Sequence, residues 1–398
     1  MSTTPWKEAS TLIIVARASL TQKIGHDLGQ NLVVSSRVLP NDEKLKSQKK
    51  QTSTDYRILM VKRSNLSSFM ASAYVFPGGH VELSDYSSKW WNLFERLGFK
   101  RENLTREIES RVSGPRPSMI QKPNILLDVD NETHIGNLLI PDIALRIAAI
   151  RETFEETGVA LLISPNGGNK QENEIGNTLN NEDLVKWRQK VRENGSAFLD
   201  LCNQLNQVPN IWSLYEWWDW LTPISVGHKR FDTMFYLCCL DKQPKVVLDN
   251  TEVTNLKWCT PSDIIDEHTN EGVFLAPPQF YELSRLKNLN KFDEVERFAK
   301  QREILGIERW MPVISTYSDG AISLLPGDDA YPTKPDIIGL KPVPDYPQTL
   351  AQMRSQVVNL NRIELRGPVC TCLCNCKLTC GHLSPISNPS MAPVYSKL

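Results

Sequence analysis

The sequence has no apolar run long enough to cross a bilayer, and its longest runs, such as residues 12–16, have the length of strands. It has no excess of basic charge either, since 45 Lys and Arg residues stand against 46 Asp and Glu residues. A protein that coats nucleic acid by counterion release is therefore not expected. The first residues lack the basic start and apolar core of a secretory signal, so no secreted protein is predicted.

The cysteines lack the even spacing of a disulfide framework. Four of the nine are scattered and five lie between residues 370 and 380, which predicts a reducing compartment. We expect successive cysteines of this run to point apart in an extended chain. Two interpretations remain open: an unstructured thiol-rich tail, or one metal site formed, for example, by Cys372, Cys376, Cys380 and His382.

The order of predicted elements favours an α+β fold. Aliphatic and β-branched runs predict strands at residues 10–17 and 56–63, separated by a polar insertion at about 18–55. Apolar residues at helical spacing predict a helix from Asp142, its N-cap, to Thr157, ended by Gly158. Further patterns predict helices over 181–206, 263–268 and 278–288 and strands over 220–225, 230–240 and 255–258.

The composition changes after residue 325. Of the 25 prolines, 10 fall in residues 326–398. Because proline removes a backbone donor and restricts the chain, we predict an extended, partly ordered tail here.

The predicted helix carries three carboxylates on one face. Glu152, Glu155 and Glu156 stand at i, i+3 and i+4, so they are neighbours on the helix surface. Like charges this close repel one another unless water or a cation neutralises them, and oxygen ligands suit Mg²⁺ or Mn²⁺. Arg151 can orient one carboxylate by a bidentate contact. The alternative is a surface helix with a solvated acidic face.

A glycine loop upstream of the helix, Phe-Pro-Gly-Gly at residues 76–79, permits a tight turn whose backbone can approach a metal or phosphate. Loop and helix together resemble the Nudix hydrolase signature, G-x5-E-x7-R-E-U-x-E-E-x-G-U, where U is apolar. Gly79 takes the first glycine and residues 151–159 match the second half, except that Thr153 replaces an apolar residue. Asp85 stands where the family has glutamate.

The signature is interrupted. Residues 86–150 separate its two halves, 65 residues where the family has seven. The interruption must loop out from the junction between loop and helix for the two halves to meet. Asp142 is an alternative to Asp85 for the acidic position.

The resemblance implies a Nudix-type α/β/α sandwich over residues 8–268, with insertions at about 18–55 and 86–141. A helical C-terminal extension would follow over 269–330 and a flexible tail over 331–398. It also implies hydrolysis of a nucleoside diphosphate derivative with Mg²⁺ or Mn²⁺.

In that reading the metal ligands are Glu152, Glu155, Glu156 and the Gly79 carbonyl. Arg151 would orient Glu152, and a glutamate of the helix or a nearby carboxylate would act as the base. Our candidate for an additional carboxylate is Glu252, whose alternative role is an exposed loop residue.

The segment before the glycine loop is similar to half of a motif found in the coenzyme A diphosphatases of this family. Arg63 and Ser64 match it, whereas Ser68 and Ser72 replace an arginine and a glycine. This implies hydrolysis of coenzyme A and acyl-coenzyme A to 3′,5′-ADP and (acyl-)4′-phosphopantetheine. The candidate substrate-binding cations are Lys62, Arg63 and Arg230, and the alternative for each is a solvated strand end.

Two other functions remain open. One is a Nudix hydrolase acting on NADH, ADP-ribose or another nucleoside diphosphate derivative. The other is a catalytically silent scaffold that binds a nucleotide.

An aromatic cluster could stack adenine, although packing beneath an insertion is the favoured interpretation. Its members are Trp212, Tyr215, Trp217, Trp218 and Trp220.

The last three residues, Ser396-Lys397-Leu398, match the peroxisomal import tripeptide. They predict a peroxisomal location and an import receptor as partner.

Overall fold

A computed structural model describes residues 6–18, 53–67, 69–126, 137–164, 181–226, 229–248, 253–367 and 369–386. Most of the predicted insertion at 18–55 lies outside these residues. No helix within the described ranges has both the length and the apolar character to cross a membrane.

The fold is organised on its first strand, β1 (Lys7–Arg17), whose residues are almost all buried. The other strands of its sheet are β2 (Tyr56–Arg63), β3 (Tyr74–Val75), β4 (Gly78–His80), β7 (Leu214–Leu221), β8 (Phe231–Leu240), β9 (Val253–Cys259) and β10 (Arg309–Trp310). Within the described chain they follow the order β10-β7-β8-β1-β2-β3, with β4 beside β1 and β9 beside β2. A separate pair is formed by β5 (Leu162–Ile163) and β6 (Val208–Pro209).

The helices are α1 (Lys89–Arg96), α2 (Arg101–Glu109), α3 (Ser118–Gln121), α4 (Pro141–Thr157), α5 (Asn181–Glu193), α6 (Ala197–Leu205), α7 (Pro261–Asn270), α8 (Pro277–Leu286), α9 (Phe292–Glu303) and α10 (Leu350–Arg354). The predicted helices at 142–157, 263–268 and 278–288 are confirmed, with ends shifted by one or two residues. The segment 181–206 is helical as predicted but is divided into α5 and α6 by residues 194–196. The strand predicted over 220–225 is wrong beyond residue 221 because Pro223 cannot donate to the ladder, and residues 224–226 form a 3₁₀ turn.

Helices cover both faces of the sheet. On one face, the Ser10 hydroxyl donates to the carbonyl of Leu145 in α4 at 2.8 Å. On the other, the Arg17 guanidinium lies 4.0 Å from the ring centroid of Phe292 in α9. Because Ser10 and Arg17 are seven residues apart on one strand, their side chains point to opposite faces. The predicted α/β/α sandwich is confirmed.

Helix α4 begins one residue earlier than predicted. Ile140 is its N-cap and Pro141 its first residue, so Asp142 lies in the first turn and is not the cap. Proline suits this position because the first amide of a helix has no partner within it. Gly158 ends the helix in the left-handed region, at φ 76°, as predicted.

The two ends of the insertion within the signature lie next to each other. The Leu139 amide donates to the Tyr86 carbonyl at 2.9 Å, which joins its two ends. Between them, α1 buries Trp90, Leu93 and Phe94 in the main core. The insertion therefore loops out from the junction and packs as part of the domain.

The C-terminal region forms a second sheet. Its strands are β11 (Val313–Tyr317), β12 (Gly320–Leu324), β13 (Asp345–Tyr346), β14 (Asn361–Arg366) and β15 (Val369–Cys374), in the order β13-β11-β12-β14-β15. The prediction of an extended tail over 331–398 is wrong for the described residues 331–386. Most of the prolines between 326 and 347 lie in the link that precedes β14, so they do not interrupt the ladder.

This second sheet is tied to the first domain. His382 is buried and its ring lies 4.6 Å from that of Trp217 and 5.0 Å from that of Trp218, both in β7. The Tyr281 hydroxyl in α8 donates to the Asn361 side-chain carbonyl at 2.6 Å.

The cysteine run lies on β15 and the segment after it. Cys370, Cys372 and Cys374 stand at every second residue of a strand, so they share one face, and Cys370 and Cys372 are buried. The expectation that successive cysteines point apart is wrong because side chains alternate with a period of two. The unstructured-tail interpretation is also wrong for this segment.

A buried ion pair tests whether this region is folded in solution. Arg362 in β14 makes a bidentate contact with Asp328, with both distances 2.6 Å and both side chains fully buried. We expect Arg362→Met to lower the free energy of unfolding by about 3 kcal/mol, since it leaves a buried carboxylate without its cation. Urea unfolding followed by tryptophan fluorescence measures the change.

The control is Arg366→Met on the same strand. The Arg366–Asp319 pair is exposed, with side-chain accessibilities of 40% and 37%, so a loss below about 1 kcal/mol is expected. Equal stabilities for both variants would contradict a folded C-terminal sheet.

Candidate active site

The two halves of the interrupted signature meet. Gly79 on β4 pairs with Ser10 on β1, which places the glycine loop against α4. A Cβ atom added at Gly79 would stand 2.4 Å from Glu152 Oε2, so the carboxylate packs directly on this glycine. The Gly78 amide donates to Glu156 Oε2 at 2.9 Å. The geometric requirement set by the sequence is met.

Arg151 is the central side chain of the junction and is fully buried. Its Nε and Nη2 donate to the two carboxylate oxygens of Asp85 at 2.9 and 3.0 Å. Its Nη1 donates to Glu152 Oε1 at 3.0 Å and to Glu155 Oε1 at 2.7 Å. Its Nη2 also donates to the His80 carbonyl at 2.7 Å. One guanidinium thus joins the loop, the acidic position and the helix.

The acidic position belongs to Asp85. Asp142 lies in the first turn of α4, where it contacts Arg116 and Arg146 in a buried network with Glu216. It does not substitute for Asp85, which is buried and holds Arg151.

The electrostatics of the junction follow from burial and crowding. Burial raises the pKa of Glu152, and the neighbouring Glu155 and Asp85 raise it further against the opposing effect of Arg151. Burial also raises the pKa of Glu155. For Arg151, burial lowers the pKa, but Asp85 and the two glutamates outweigh it and the net shift is upward. Arg151 is therefore a permanent cation within an acidic cluster.

These groups line a cleft of about 830 Å³. Its polar wall contains residues of the glycine loop and the acidic face of α4: Gly78, Gly79, Arg151, Glu152, Glu155 and Glu156. A volume of this size matches pockets that bind small-molecule substrates.

The three predicted substrate-binding cations differ in position. Arg63 lines the cleft, and its Nε and Nη2 donate to Ser67 Oγ while Nε also bonds the Phe69 carbonyl, so it fixes the loop after β2. Lys62 is not among the residues that line the cleft, and its ammonium lies 5.8 Å from the ring centroid of Tyr74. Neighbouring residues of a strand point to opposite faces, which explains the difference.

Arg230 lines the cleft but is occupied by the protein itself. Its Nε donates to the Thr222 carbonyl at 2.9 Å and its Nη1 to the Ile337 carbonyl at 2.8 Å. Arg230 therefore connects the start of β8 to the C-terminal region.

One changed residue of the loop after β2 has a backbone conformation typical of glycine. Ser72, at the glycine position, has a φ of 61°, in the left-handed region that favours glycine. Ser68, at the arginine position, lies outside the described residues, as do Glu252 and Ser396-Lys397-Leu398.

Sequence reasoning missed several residues of the cleft, among them Lys7, His80, Glu82 and Arg192. Burial lowers the pKa of His80, and the cations Lys7, Arg63 and Arg151 lower it further. Lys7 reaches the site because β1 pairs with both β4 and β8, a contact that no local pattern reveals.

The aromatic cluster serves mainly as packing, as favoured from the sequence. All five rings are buried, and the indole nitrogens of Trp217 and Trp220 donate to Glu282 at 2.6 and 2.9 Å. Trp220 alone of the five lines the cleft.

The donor chemistry of the cluster fits a divalent cation. Carboxylate and carbonyl oxygens are the ligands of Mg²⁺ and Mn²⁺, and the missing Cβ of Gly79 leaves room for Glu152 beside the loop. In the described part of the chain no three acidic, His or Cys side chains already converge on one metal position. Glu152 and Glu155 each turn one oxygen to Arg151, which leaves the second oxygen of each carboxylate as the one available to a cation.

The fold agrees with comparisons to known proteins. A family model described as the NUDT19 Nudix domain matches residues 6–286, and one described as the NUDT19 C-terminal domain matches residues 314–375. The chain belongs to the Nudix hydrolase family. Members of this family generally use divalent metal ions.

Three relatives carry the name acyl-coenzyme A diphosphatase NUDT19. The one from Xenopus laevis is 38% identical over 399 residues, with 96% of each chain covered. The one from Gallus gallus is 40% identical over 302 residues, covering 73% of this chain and 76% of that protein. The one from Homo sapiens is 38% identical over 287 residues, covering 69% and 72%.

The contact between Gly79 and Glu152 predicts a steric effect. The Cβ of Gly79→Ala would occupy space within 2.4 Å of Glu152 Oε2, so the carboxylate must move away from the loop. We expect affinity for Mn²⁺ to fall by about tenfold or more, which is the order of effect of a disturbed ligand environment. Calorimetric titration with Mn²⁺ measures it.

Gly98→Ala serves as the control, because a Cβ there meets nothing within 4 Å, so the strain at its φ of 90° lowers stability without displacing a side chain of the site. It should bind Mn²⁺ as the unmodified chain does. Unchanged Mn²⁺ affinity in Gly79→Ala would remove this glycine from the site.

Proposed function

We propose that the chain hydrolyses the diphosphate bond of coenzyme A and acyl-coenzyme A, giving 3′,5′-ADP and (acyl-)4′-phosphopantetheine. The observation that carries the proposal is the assembly of Gly79, Arg151 and the three glutamates of α4 in one cleft. Support comes from relatives that are named acyl-coenzyme A diphosphatases at 38% and 40% identity.

The ligands we assign to Mg²⁺ or Mn²⁺ are Glu152, Glu155, Glu156 and the Gly79 carbonyl. A bound divalent ion neutralises diphosphate charge and lowers the pKa of water. Arg151 holds Glu152 and Glu155 on one side of the helix, so their free oxygens face the cleft with little loss of side-chain entropy.

A carboxylate beside the attacking water accepts its proton. The candidates are Glu152 and Glu155, which line the cleft, and Glu252, which lies outside the described residues. Lys7 and Arg63 line the same cleft and supply positive charge for the substrate phosphates.

Substitution of the acidic residues tests this assignment. We expect Glu155→Gln and Glu156→Gln to lower the turnover of coenzyme A by about 100-fold or more, since each removes a negative ligand while retaining the shape of the side chain. Purified protein with Mg²⁺ is assayed separately on coenzyme A, NADH and ADP-ribose, and circular dichroism reports the fold.

The matched control is Glu95→Gln, an exposed glutamate of α1, which should retain full turnover. Preference for NADH or ADP-ribose would replace the coenzyme A assignment with another Nudix substrate. Cleavage of none of the three would favour a nucleotide-binding scaffold.

We also propose that the protein is imported into peroxisomes through Ser396-Lys397-Leu398. The matching tripeptide at the end of this sequence supports this. Deleting residues 396–398 from a chain with an N-terminal fluorescent protein should move the fluorescence from peroxisomes to the cytosol. Tyr395→Ala, which keeps the tripeptide, is the control and should remain peroxisomal. Punctate peroxisomal fluorescence of the deletion variant would exclude this signal.

A further inference from the structure

The C-terminal sheet supplies one wall of the cleft. Pro312, Ile314 and Ser323 line it, and Ile314 on β11 stands directly opposite Ser323 on β12. The alternate residues of the same strands, including Tyr317 and Leu324, pack in the separate core of the C-terminal region. Because side chains alternate along a strand, the face that carries Ile314 is free of that core.

This wall is held at a fixed position by Arg230. Besides its bonds to the carbonyls of Thr222 and Ile337, its Nη2 lies 3.5 Å from Met311 Sδ. The Tyr331 hydroxyl donates to the Met311 carbonyl at 3.0 Å. Met311 directly precedes the wall residue Pro312, so these contacts fix the start of β11 against the sheet.

The wall lies at the far side of the sheet from the glutamates. Residue pairing runs in an unbroken row from Gly79 through Ser10, Met234 and Asp219 to Arg309. This row contains four strand spacings, which is about 19 Å at about 4.8 Å each. The residues that follow Arg309 lead into the wall.

The two ends of the cleft differ in chemistry. The cations among its described lining residues all come from the Nudix domain: Lys7, Arg63, Arg151, Arg192, Lys229 and Arg230. Arg230 lies at the wall, but its guanidinium is already bonded to the carbonyls of Thr222 and Ile337. The C-terminal sheet contributes no charge, and the cleft also contains Phe69, Met70, Pro277 and Pro278. A phosphate-bearing group is favoured near the cations, and an apolar group beside Ile314.

The length of the substrate matches this division. In coenzyme A about 13 bonds separate the phosphorus of the pantetheine side from the sulfur, which is about 15 Å when extended. With the diphosphate at the glutamates, an extended pantetheine chain covers most of the row of strands between Gly79 and Arg309. The atoms beyond the sulfur, which only acyl-coenzyme A carries, then extend toward the C-terminal sheet.

We propose that Pro312, Ile314 and Ser323 of the C-terminal region form the subsite for the acyl chain of acyl-coenzyme A. The inference rests on the proposed function. It assigns the C-terminal sheet a role in substrate choice, because the wall contacts acylated substrates and leaves free coenzyme A unaffected.

Placing a charge on the wall tests the proposal. Ile314→Asp should lower kcat/KM for octanoyl-coenzyme A by about tenfold, with kcat/KM for coenzyme A unchanged within about twofold, since an apolar contact in a pocket is worth about this much. Ile314→Ala, which introduces no charge, should lower kcat/KM for octanoyl-coenzyme A by a smaller factor. Each Ile314 substitution is also combined with Glu155→Gln, so that binding can be measured by calorimetry without turnover. The affinity for octanoyl-coenzyme A should fall, whereas the affinity for coenzyme A should not change.

Val358→Asp is the matched control: it lies in the same region, is 78% exposed and does not line the cleft. It should leave both substrates unaffected. Equal loss for the two substrates, or no loss for either, in both Ile314 variants would overturn the acyl subsite. If the unmodified chain cleaves neither substrate, the proposed function fails independently of this inference.

Discussion

The contact set of Arg151 is the interaction on which the site depends. One buried guanidinium bonds Asp85, Glu152, Glu155 and the His80 carbonyl, so it draws together residues that stand 66 positions apart in the chain. Without it, the buried carboxylates of Asp85, Glu155 and Glu156 and the half-buried one of Glu152 would face one another with only partial compensation, and the cost of burying them would be high. The arginine of the Nudix signature is thus a structural requirement of its carboxylates.

The interruption of the signature is compatible with this geometry because its ends are adjacent. The bond between the Leu139 amide and the Tyr86 carbonyl closes the excursion immediately after Asp85 and before α4. Closing a longer loop costs only a little more conformational entropy, and burial of the α1 side chains offsets it. The loop and the helix can therefore keep the geometry of an uninterrupted signature.

The sequence predicted the parts of the molecule in which local pattern and tertiary environment agree. β1, β2 and α4 are long, strongly apolar elements, and the acidic face of α4 has an unambiguous spacing. The C-terminal sheet was missed because its strands are short and are separated by proline-bearing links. The alternation of Cys370, Cys372 and Cys374 was in fact the period of a strand, which the expectation of an unstructured thiol-rich tail obscured.

Site residues that are close in sequence or belong to a known motif were predictable. Site residues that strand pairing brings together were not. Lys7 lines the cleft because of the register in which β1 pairs with β8. Lys62 does not line it because side chains alternate between the two faces of β2, and its ammonium lies near Tyr74. Arg230 was correctly placed in the cleft, but one carbonyl that engages its guanidinium, that of Ile337, lies 107 residues away in the chain. Such partners depend on tertiary pairing alone.

The two matched family segments are not two independent bodies. The first ends at residue 286 and the second begins at 314, yet between them α9 packs on one face of the first sheet and β10 forms its edge strand. His382, beyond both segments, inserts between Trp217 and Trp218 of β7. A fragment that ends at residue 286 would lose the edge strand β10 and expose to water the indole rings that pack on His382, so the first family segment alone should be less stable than the whole chain.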